Sequence, residues 1–280
     1  MPIRRLGLLE RLAPVIGLVP LRIPVSLIVM TGAAWALMLH HAIGMSASMG
    51  MAGHGSVVVK GMGGGVSLSD LGLFLVIWTV MMAAMMLPSA APMILTFATA
   101  QARRDRNVAV PTWIFVAGYT YVWTYAGLVV YLLVHLVDDV ARHLSWLQNG
   151  VGAPLVLGFA LTVAALYQLT PLKRLCLRHC RSPSIFLEQH WRDGWEGAFE
   201  MGCRHGLYCV GCCWAFFGVI VAAVGIESIT WMLLITLVVF AEKMLPHGPR
   251  ISVAVALGLI ALGLLVAIGA VQPAALTDVT

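Results

Sequence analysis

About seven apolar runs, each close to 20 residues long, constrain this chain more than any other feature. They lie at about 24–43, 71–99, 112–136, 151–170, 206–225, 229–245 and 251–271. A helix that crosses a bilayer needs about 20 apolar residues. Only 10% of the residues are charged, where a soluble domain has roughly a quarter. A soluble globular fold is thereby excluded. The expected fold is all-α: a polytopic membrane helix bundle with about seven transmembrane helices, forming a single membrane domain over residues 1–280 with no internal repeat.

The basic residues fall between the apolar runs. Arg4, Arg5, Arg11 and Arg22 mark a leader over 1–22, and Arg103, Arg104 and Arg106 a turn after the second run. Lys173, Arg174, Arg178, Arg181, Arg192 and Arg204 mark the largest soluble segment, 171–205. The positive-inside rule puts all of these on the cytosolic side, so the N-terminus is inside and seven crossings leave the C-terminus outside. The net charge of +5 is then a topology signal; the expected partner is the lipid bilayer and not a nucleic acid. The first run also reads as a signal-peptide core cleaved near Ser46-Ala47-Ser48, but its length favours a span. Trp191, Trp195, Ala198 and Phe199 recur at i, i+4, i+7 and i+8 and predict one interfacial amphipathic helix on the cytosolic side.

The chemistry concentrates in the cysteines. All six lie between Cys176 and Cys213. On a helix His205, Cys209, Cys212 and Cys213 share one face, with Cys213 on its flank and Cys203 pointing elsewhere. Cys176 and Cys180 are spaced i, i+4 with His179 between them. Thiolates favour Cu(I), zinc or iron–sulfur centres over magnesium or calcium. Arg204 and the helix N-terminus would favour the thiolate of Cys209. The plain alternative is small side chains packed at a helix interface.

Two further soft-ligand groups accompany the thiols. Met81 and Met85, and likewise Met82 and Met86, are i, i+4 pairs in the second run, followed by the helix breakers Pro88 and Pro92. Thioethers suit Cu(I), although methionine is also a flexible core filler. His40, His41, Met45, Met49, Met51, His54 and Met62 lie in or beside a glycine-rich loop expected outside the cell. Glu242-Lys243 near the end of the sixth run is a candidate by its ionisable character alone, with mutual pairing as the simpler reading.

The stretches Met81–Ser89, Gln168–Pro183, Met201–Trp214 and Glu242-Lys243 resemble a family of bacterial integral membrane proteins described as predicted metal-binding proteins of unknown function, sometimes labelled copper chaperones. The resemblance covers about 70–250. It implies a multi-pass protein of the bacterial inner membrane that binds metal; Cys203 departs from the family pattern, which has an apolar residue there.

Together these features point to binding and transfer of a soft transition metal, Cu(I) first and zinc second, by a transporter, chaperone or donor working with a soluble metal acceptor or donor protein. The ligand set is Met81, Met82, Met85, Met86, Cys176, His179, Cys180, His205, Cys209, Cys212 and Cys213. One alternative is a membrane thiol–disulfide oxidoreductase using the C-x-x-C of Cys209 and Cys212. Another is an assembly factor with a structural zinc. The balance leans away from an enzyme. Gly61–Gly65 lacks the Lys-Ser/Thr of a phosphate loop, so no nucleotide-driven pumping is expected.

Overall fold

A computed structural model describes residues 20–49, 67–104, 107–143, 152–223 and 229–270. Every element among them is a helix: α1 (Arg22–Met49), α2 (Leu68–Ala102), α3 (Ala109–His143), α4 (Gly152–Leu169), α5 (Pro171–Arg181), α6 (Pro183–His190), α7 (Gly194–Ala223), α8 (Ile229–Met244) and α9 (Gly248–Ala267). Most of the leader, the Met51, His54 and Met62 part of the glycine-rich loop and the turn at 225–228 lie outside the described residues.

Among the described residues, four helical stretches are long and apolar enough to cross a membrane: Arg22–Ala42, Leu68–Ala102, Ala109–Val137 and Gly248–Ala267. A fifth arises if α4 and α5, bent by 62° at their junction, count as one broken span. The expected runs at 206–225 and 229–245 correspond to the second half of α7 and to α8. The bend has a local cause. Thr170 caps α5 by accepting a bond from the Lys173 amide at 3.2 Å, and Pro171 starts the new helix where its missing N–H costs nothing.

α2 begins where Ser67 accepts a bond from the Asp70 amide at 3.1 Å, and it runs unbroken through Pro88 and Pro92. Pro88 has no N–H to give the carbonyl four residues back, which is that of Ala84. The Trp35 indole of α1 donates to that carbonyl at 3.0 Å. Pro88, expected to break the helix, is thus tolerated because a neighbouring helix satisfies the backbone group it frees. Replacing Trp35 with Phe leaves the carbonyl without this donor. We expect a loss of about 1 kcal/mol, seen as a lower thermal unfolding midpoint in detergent and absent from a control substitution at the exposed Leu37.

α3 and α7 approach closely because glycines line their contact. A Cβ at Gly118 would overlap the Phe199 carbonyl, and one at Gly202 the Phe115 carbonyl. Cys203 sits in the same seam, donating to the Gly118 carbonyl at 3.4 Å. This closeness brings Tyr119 of α3 against His205 and Cys209 of α7.

Two expectations about the segment 171–205 are corrected. It is not a loop apart from the bundle: α5 and α6 bury Lys173, Cys176, Leu177, Cys180, Phe186 and Leu187 in it. Nor do residues 191–199 form a separate interfacial helix. From Gly194 onward they are the first turns of α7, a continuous helix of 30 residues with no proline before Ala223. Ala198 is buried, Trp195 is exposed, and Trp191 stacks on Phe97 beneath the Arg104 guanidinium.

Candidate metal centre

α7 carries Cys209, Cys212 and Cys213 to one level of the bundle, where α5 supplies Cys180 and Cys176. All five are buried and none is in a disulfide. Cys180 Sγ lies 3.9 Å from Cys212 Sγ, and Cys212 Sγ lies 3.2 Å from Cys213 Sγ. Cys212 also donates to the Cys209 carbonyl at 3.1 Å. Cys176 fits because position 211 has no side chain: a Cβ there would come within 2.7 Å of its sulfur.

The charged partner of this group comes from α8. Lys243 Nζ donates to Cys209 Sγ at 3.0 Å and to Ser89 Oγ of α2 at 3.1 Å. Tyr119 Oη lies 3.1 Å from the same Cys209 sulfur. The cation beside Cys209 is therefore Lys243 and not Arg204, as the sequence led us to expect. Arg204 turns outward and pairs with Glu200 at 2.8 Å, one turn back along α7. That hydrogen bond, with the nearby Arg192, holds the Glu200 carboxyl below its ordinary range.

Glu242 and Lys243 do not pair with each other. Adjacent residues on a helix face different ways, and each has its own partner. Glu242 meets Lys173 of α5 at 2.7 Å, with both side chains almost wholly buried. Lys173 also donates to Gln168 Oε1, and its ammonium stands 4.9 Å from the centre of the Phe216 ring. Lys173, expected as a cytosolic surface charge, is inside the bundle. It is held there by a carboxylate, an amide and an aromatic face.

The remaining expected ligands are divided. His205 is buried between Tyr119 and Phe186, with ring centres at 5.6 and 5.7 Å, and its Nδ1 has no hydrogen-bond partner among the described residues. His179 is next to Cys180 on α5 but is only partly buried, and its ring lies flat on Tyr208 of α7 at 4.2 Å, where no contact with a thiol is seen among the described residues. Met81, Met82, Met85 and Met86 are all buried, and they belong to the same packed core as the five thiols. His40 and His41 are exposed near the end of α1.

Among the described residues no three His, Cys, Asp or Glu side chains close on a common point ready to hold an ion. Two thiolates are enough for Cu(I). Two sulfurs bound to one ion at about 2.3 Å, the zinc–thiolate length, stand at most about 4.6 Å apart. The Cys180–Cys212 separation of 3.9 Å falls inside that bound. The donor set of soft sulfurs with one compensating cation suits a monovalent soft ion.

The family model described as PpoB2: Copper chaperone matches residues 75–266. The chain belongs to this copper chaperone family. No curated protein and no solved structure matches it. The matched region takes in every residue of the thiol cluster and its partners, from Ser89 of α2 to Lys243 of α8. Membership supports a role connected with copper.

Several residues of the candidate site do not stand out in the sequence. Lys243 is a candidate there by its ionisable character alone, with Glu242 as its simplest partner, and nothing in the spacing singles out Tyr119. Ser89 and Gln168 enter the sequence reading only as ends of the resembling stretches, and Lys173 only as a cytosolic charge. The one available signal was Glu-Lys inside an otherwise apolar helix, since ionisable groups there need dedicated partners.

Proposed function

We propose that this copper chaperone is a membrane-embedded carrier of Cu(I), with Cys180, Cys209, Cys212 and Cys213 as the seat of the cargo and Lys243 as its counter-charge. The observation that carries this reading is the enclosed group of thiols with a single ammonium 3.0 Å from Cys209. Charge arithmetic makes the arrangement suitable. An empty seat with one thiolate and the Lys243 ammonium is neutral. A loaded seat with Cu(I), two thiolates and the same ammonium is also neutral. Loading then exchanges one proton for one Cu(I) and leaves no uncompensated charge inside the bundle, where each such charge costs several kcal/mol. Embedding is supported by the apolar exterior: Ile28 and Val29 of α1, Leu132 and Leu133 of α3, and Leu257 and Leu264 of α9 are exposed. Seven crossings with a cytosolic N-terminus remain the preferred arrangement. The methionines of α2 serve as lower-affinity soft ligands on the way to the seat.

Metal analysis of the protein purified under reducing conditions tests the reading. We expect about one copper per chain, in keeping with a thiolate site for a soft ion, and its loss in both Cys209→Ser and Cys212→Ser. Zinc retained from every growth medium would replace the carrier by a structural site. Absence of metal together with a titratable Cys209–Cys212 disulfide would sink the copper reading in favour of a dithiol oxidoreductase.

A further inference from the structure

Outside the thiol seat, two imidazoles from different helices stand together: His179 of α5 and His190 of α6, with ring centres 6.5 Å apart. Both are only partly buried. His179 lies flat on Tyr208 at 4.2 Å and 1°, and His190 stacks on Phe186 at 4.8 Å. Each ring is therefore braced from α7 or α6.

Both rings are also fixed in the same tautomer. His179 Nδ1 is 3.0 Å from the Leu175 carbonyl, and His190 Nδ1 is 3.0 Å from the Phe186 carbonyl. A carbonyl only accepts, so each Nδ1 carries the proton. In the neutral ring the lone pair then belongs to Nε2. A backbone carbonyl on one ring nitrogen is the usual means by which the other is prepared for a metal. Two imidazoles on one ion, with metal–nitrogen bonds of about 2 Å, put their ring centres about 6 Å apart when the Nε2 atoms face each other. The observed ring centres are 6.5 Å apart, with the ring planes at 69°; a shared ion requires the two Nε2 atoms to turn toward each other.

We propose that His179 and His190 form a second metal site, a two-nitrogen site for Cu(I), separate from the thiol seat and nearer the surface. It deepens the carrier reading, on which it rests for the identity of the ion. His179 is the residue next to Cys180, so the site stands beside the α5 end of the sulfur cluster. Neutral nitrogen ligands hold Cu(I) less tightly than thiolates do. The ion there is therefore the more readily exchanged of the two, as a handover position requires.

The test is anaerobic Cu(I) titration of the full-length protein in detergent against a chromophoric chelator. We expect a tight equivalent and a weaker second one. The double variant His179→Gln/His190→Gln should lose the second and keep the tight one, which also shows that it has folded. His190→Gln alone should do the same. X-ray absorption of the doubly loaded protein should show a nitrogen shell that disappears in the double variant. A wild-type protein that takes up only the tight equivalent overturns this inference and leaves the carrier reading standing. So does a second equivalent unchanged in the double variant. A weak equivalent that needs both histidines, with no tight one, upholds the two-nitrogen site and removes the thiol seat.

Discussion

Lys243→Met weakens Cu(I) binding by about a hundredfold or more, the effect of leaving a buried complex without its counter-charge, ~3 kcal/mol. The empty protein should change little in stability. Without the ammonium, Cys209 simply keeps its proton, and a buried neutral thiol behaves as a small apolar side chain. The two measurements are separable. Chelator competition reads affinity, and thermal unfolding of the metal-free protein reads stability. A merely structural role for Lys243 would show the reverse, a large loss of stability with affinity preserved in the folded fraction. Equal affinity in variant and wild type would remove Lys243 from the seat.

Glu242, one residue away, should behave oppositely. Glu242→Ala leaves the Lys173 ammonium inside the bundle without its carboxylate at 2.7 Å. Breaking a buried pair on one side costs about 3–5 kcal/mol, enough to unfold a marginal bundle or lower its yield severely. The double change Lys173→Met/Glu242→Met removes both charges and fills similar volume. It should restore most of the lost stability, because a buried pair contributes little beyond satisfying itself. Unfolding in detergent of the single and double variants decides the matter. A double variant as unstable as the single one would show that Glu242 is held by something other than Lys173.

The contrast between these neighbours shows where the sequence was informative and where it stopped. Apolar length and the scarcity of charge foretold helices throughout, and α2, α3 and α9 follow the expected runs closely. The grouping of Cys209, Cys212 and Cys213 followed from helical spacing, which is a local property. The approach of Cys180 did not, because it depends on how α5 turns after the bend at Thr170. Helical spacing placed His179 with Cys176 and Cys180. The positions i, i+3 and i+4 span a broad arc of the helix, and packing buried only the two thiols. Lys173 and Lys243 were misjudged for a related reason. A basic residue at the end of an apolar run looks like a surface charge until a carboxylate or thiol on another helix is seen facing it.

The enclosure of the five thiols also bears on kinetics. Cys209, Cys212 and Cys213 are at most 2% exposed, and Cys176 and Cys180 only slightly more. An ion delivered by a partner cannot reach them by collision alone. On the carrier reading, the helices around them must first part. Loading is then a two-step event in which a conformational opening precedes ligand exchange, and at high copper the uptake rate levels off at the opening rate instead of rising with concentration. On the carrier reading, the same enclosure would shelter a bound Cu(I) from oxidants and stray thiols, trading speed of exchange for retention.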